Sequence, residues 1–179
     1  MLALRSMAPY SHPSLQLSQS IFTMSSRLEG LEEIRLENVV DVQHFLRQSW
    51  CTNGRTQHSL PAWPNLRKLL MGGHFRQAPL NRAAGAGIFY DSITHLLPQM
   101  PNINYFYVTM ASSSSDGFYV GNNSWISFSV GMVVPPRDDR SAMPDAKLHW
   151  FGVKPDQETI DTWKKIVRSQ WYCGLVFER

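Results

Sequence analysis

At 179 residues the chain is long enough for one domain. An apolar share of 43%, with six Trp and nine Phe, excludes wholesale disorder, and a net charge of +3 is too small to demand a nucleic-acid partner. Two distant cysteines, Cys51 and Cys173, exclude a disulfide framework, and no stretch reaches the roughly 18 apolar residues of a membrane helix.

Residues 1–27 read as an N-terminal tail leading into a helix near Leu15–Arg27. No acid precedes Glu29 and serine is plentiful, as in organellar import peptides. Two arginines are sparse for such a peptide, however, and Pro9 and Pro13 interrupt any early helix. The expected compartment is therefore the cytoplasm or the nucleus.

From Leu28 the apolar residues fall at Leu28, Leu31, Ile34, Leu36 and Val39, in steps of three, three, two and three. The first three steps return at Trp63, Leu66, Leu69 and Met71, and all four at Met100, Ile103, Phe106, Val108 and Ala111. Aligning Leu31, Leu66 and Ile103 gives repeats of 35 and 37 residues, and both later copies carry Pro-Asn before the second anchor. Two anchors on a turn, followed by a short alternating strand, account for these steps. Ile34/Leu36, Leu69/Met71 and Phe106/Val108 then point inward. Such strands lie parallel and need crossover connections, usually helices. The expectation is an α/β fold, with a leucine-rich-repeat-like segment over 28–111.

The intervening segments fit. "DVQHFLRQSW" puts Val42, Phe45, Leu46 and Ser49 on one helical face behind an Asp41 cap. "TNGRTQHSLPAWP" reads as a loop turning at Asn53-Gly54. His74 follows Gly72-Gly73, which are expected to turn the chain out of its strand. A helix starting at Pro79 covers "PLNRAAGAGIFYDSITHLL", with Gly85 and Gly87 marking a break or a close approach.

Beyond Ala111 the pattern changes. Asp116-Gly117 signals a hairpin, and a β-rich run to Val134 is interrupted at Gly121-Asn122-Asn123. After a polar loop, "AKLHWFGV" is a strand with Leu148 and Trp150 on one side and His149 and Phe151 on the other. "DQETIDTWKKIVRSQW" is a helix capped by Asp156, with Ile160, Trp163, Ile166 and Val167 as its stripe. "GLVFER" closes as a short strand. Residues 112–179 read as a mixed β/α cap on the repeats, within one continuous domain.

The order of "MPNINYFYV", two strands ending in "WISFSV", the strand "KLHWFGV" and the helix "ETIDTWKKIV" resembles the C-terminal half of fungal F-box-type proteins with degenerate leucine-rich repeats. The resemblance runs from about Leu80 to Phe177, and more weakly back to Leu28. It implies a ubiquitin-ligase adaptor whose repeats hold a client. The F-box itself, a compact helical segment, is not found in this sequence, so ligase attachment is not carried over.

Little chemistry is expected. His44, Cys51 and His58 are spaced seven and seven, without the tight pair a zinc site uses, so no metal is expected. No phosphate loop or nucleophile elbow occurs, and neither a cofactor nor a catalytic residue is assigned. Arg67, Lys68, Arg76 and Arg82 near Trp63 and Phe75 suggest a stacking groove for nucleic acid, but Arg67 and Lys68 sit at solvent-facing steps. The favoured site is the exposed side of the repeat strands: Glu33, Arg35 and Glu37 on the first, Lys68, Leu70 and Gly72 on the second, Tyr105, Tyr107 and Thr109 on the third. That strip would bind a protein client. The alternative is a small α/β enzyme with its site near His74 and His149.

Overall fold

The structure is a computed structural model that describes residues 1–5, 15–53, 61–75, 82–112, 127–135 and 145–178. It is an α/β fold built on one seven-stranded sheet, whose spatial order is the chain order. The elements are β1 (Leu2–Arg5), α1 (Leu15–Ser26), β2 (Glu33–Glu37), α2 (Val42–Asn53), β3 (Lys68–Phe75), α3 (Arg82–Leu96), β4 (Tyr105–Ser112), β5 (Ser127–Val133), β6 (Ala146–Phe151), α4 (Gln157–Trp171) and β7 (Leu175–Glu178). Strands β1 to β4 are parallel, β5 is antiparallel to both of its neighbours, and β7 is parallel to β6.

The three anchor patterns are neighbouring parallel strands in the expected register. Ile34, Leu69 and Phe106 stand in one row, and Leu36, Met71 and Val108 in the next. All six are at most 2% exposed. The turn anchors Leu66, Trp63, Ile103 and Met100 are buried with them. Each such side chain contributes about 1.5–3 kcal/mol before its ordering entropy is subtracted.

The helices contact one another in chain order and share this core with the inward side chains of the sheet, so they form a single layer on one face. Asp41 caps α2, its Oδ1 accepting from the His44 N–H at 2.7 Å, while its own N–H donates to the buried Ser18 Oγ on α1. Between these helices Phe22, Phe45 and Trp63 form an aromatic cluster with centroids 5.1–6.1 Å apart. Asp156 caps α4 through the Thr159 N–H. Trp163 of α4 reaches α3, its Nε1 donating to Thr94 Oγ1 at 2.7 Å.

Three expectations need correction. Residues 1–27 are not merely a tail with a helix: Leu2–Arg5 form β1, pairing Leu2 with Ile34. Four residues offer too short an alternation to stand out. Gly72 and Gly73 do not end their strand; β3 runs through both to Phe75. A Cβ on Gly73 would lie 2.8 Å from the Val40 carbonyl oxygen, so the glycine admits the chain leading into α2. Helix α3 continues through Gly85 and Gly87, and a Cβ on Gly87 would meet nothing within 4 Å, so Gly87 marks neither a break nor a close approach. The strand, helix and closing strand read at the end of the sequence are β6, α4 and β7, a strand–helix–strand crossover that carries the one-sided helix layer to the end of the sheet. Asn53 ends α2. Gly54, His58, Arg76, Pro79, Asp116-Gly117 and Gly121-Asn122-Asn123 lie outside the described residues.

Candidate binding face

The face of the sheet opposite the helices carries the predicted strip. Parallel register places Glu33, Lys68 and Tyr105 in one row, Arg35, Leu70 and Tyr107 in the next, and Glu37, Gly72 and Thr109 in the third. All nine residues come together as expected.

The charged end is largely self-paired. Lys68 Nζ lies 3.6 Å from Glu33 Oε1, and Arg5 Nε lies 3.2 Å from Glu37 Oε2. Such surface pairs are worth about 0–1 kcal/mol each. Arg35 is exposed and ion-paired to nothing among the described residues. The Thr109 hydroxyl is shielded and has no hydrogen-bond partner among the described residues.

The strip is wider than the sequence suggests. The Arg35–Leu70–Tyr107 row continues through Gly131 to His149 and Glu178. Backbones of β4 and β6 are two strand spacings apart, about 9–10 Å. With no side chain on Gly131 between them, the Tyr107 and His149 rings approach to 6.4 Å between centroids. The His149 ring occupies the space a Cβ on Gly131 would need, its Nε2 only 2.3 Å from that point. The neighbouring rows add the exposed Val133, Phe151 and Val176 and a Lys147–Glu178 pair at 2.7 Å. The result is a mixed aromatic and apolar surface with Arg35 at one side. His149 was expected at a different site, and only the antiparallel register of β5 places it here.

The geometry does not join His74 to His149. His74 pairs with Ala111 at the far end of β3, whereas His149 shares a row with Leu70. Four residues along and three strands across separates the two backbones by about 20 Å. His44 is on α2, with the Gln48 amide 3.1 Å from its Nε2. No group of three His, Cys, Asp or Glu able to hold a metal occurs among the described residues. Cys173 is buried, and burial raises its thiol pKa against the opposing Ala146 backbone hydrogen bond. No helix among the described residues is long and apolar enough to cross a membrane.

A second feature lies where the strands begin. The Pro-Asn pairs form a ladder there. Asn65 Nδ2 donates to the Glu29 carbonyl and Asn102 Nδ2 to the Pro64 carbonyl, each at 2.7 Å. Trp171 Nε1 of α4 then donates to the Pro101 carbonyl at 2.8 Å. One carbonyl per repeat is thus satisfied by the next repeat, and the cap supplies the last donor. Beside the ladder is a shallow cleft of about 290 Å³ lined by residues including Arg67, Asn102, Asn104 and Trp171. The repeated Pro-Asn was the visible signal for this edge. No family model, no curated protein and no solved structure matches the chain.

Proposed function

We propose that the chain is a non-catalytic protein-interaction module that holds a client protein on the open face of its sheet. Residues 28–111 are then degenerate leucine-rich repeats, and their outward rows are the recognition surface. The observation that carries this reading is the row Arg35–Leu70–Tyr107–His149, in which a cation with no ion-pair partner among the described residues, a leucine and two adjoining rings line up across the face. Tyrosine and arginine anchors of this kind carry most of the energy in protein interfaces. The resemblance of residues 80–177 to F-box-type adaptors makes the client a candidate for delivery to a ubiquitin ligase in the cytoplasm or nucleus.

The test replaces Arg35, Tyr105 and Tyr107 together with alanine. Affinity capture from native cells is followed by titration of the recovered client. Each anchor is expected to contribute about 2 kcal/mol, or about 30-fold in Kd, with the melting temperature unchanged. Client recovery equal to that of the unaltered chain would reject the face as the binding surface. Co-recovery of a ligase scaffold separates an adaptor from a free-standing binder.

A further inference from the structure

We draw no further inference here: the strongest candidate, the cleft at the strand starts between Arg67, Asn104 and Trp171, is bounded by Pro135, where the described residues stop, and nothing in the structure shows what covers it.

Discussion

Gly72 and Gly73 are adjacent in β3 but face opposite sides of the sheet, and alanine at the two positions should move stability in opposite directions. A Cβ on Gly72 meets nothing within 4 Å. There, alanine restricts the unfolded chain and adds β-strand preference, a gain of about 0.5–1 kcal/mol. A Cβ on Gly73 would sit 2.8 Å from the Val40 carbonyl oxygen and 2.9 Å from Val42 Cγ2. Neither can withdraw cheaply. Val42 is fully buried at the start of α2, and the chain before it is held by the Asn38 N–H donating to the Gly72 carbonyl at 2.8 Å. Overpacking of this kind costs about 1–3 kcal/mol, which offsets the entropic gain and leaves a net loss of up to about 2.5 kcal/mol. At this chain length 1 kcal/mol corresponds to about 2–4 °C in Tm. Urea unfolding followed by tryptophan fluorescence measures both variants, with equal m-values required for the comparison. If Gly73→Ala matches or exceeds the stability of the unaltered chain, the close approach that explains the strand's passage through both glycines is wrong.

Trp63 Nε1 donates to the fully buried Ser25 Oγ at 3.2 Å, and Ser25 Oγ donates to the Phe22 carbonyl at 3.0 Å. Ser25→Ala strands the indole N–H and should cost about 1–3 kcal/mol, but about 1 kcal/mol less in a Trp63→Phe background; additive denaturation energies would refute the coupling. Burial pushes the Tyr90 hydroxyl up to about 12 from 10.0. Because the folded value is the higher one, stability should be intact below pH 10 and fall as the pH rises toward 12. Tyr90→Phe should flatten that alkaline decline in Tm, and an unchanged slope would show that another group causes it. The Thr159 backbone N–H holds the Asp156 carboxyl below its ordinary 3.8. Its capping contribution is therefore present above pH 3.8 and lost as acid protonates the folded-state carboxyl. Asp156→Asn caps without titrating there, so the Tm gap between the two proteins should change only in that acid range.

The repeat was legible because a sheet covered on one face by helices forces the same spacing on every unit. Ile34, Leu69 and Phe106 must enter one core from equivalent points, so their steps recur and their register follows. The Asp41 and Asp156 caps were legible for a local reason, since the bond closes within three residues. β1 was not, because Leu2 and Leu4 make a single alternation whose meaning depends on β2. The passage of β3 through Gly73 was not, because its cause is the Val40 carbonyl, 33 residues away in sequence.

The site divides along the same line. The outward residues of β2, β3 and β4 follow from the inward pattern, since alternate side chains of a strand must face opposite sides. His149 does not follow from it. It joins the row of Tyr107 only through two antiparallel registers, and Gly131 supplies the gap that lets the rings meet. Pro-Asn was visible as a repeated word, but its use lies in carbonyls 36 and 38 residues earlier and in a final donor, Trp171, that no repeat contains. Repetition therefore reveals whichever residues every unit needs. The residues that end the stack, Trp171 at the strand starts and His149 on the open face, each occur once, and only coordinates place them.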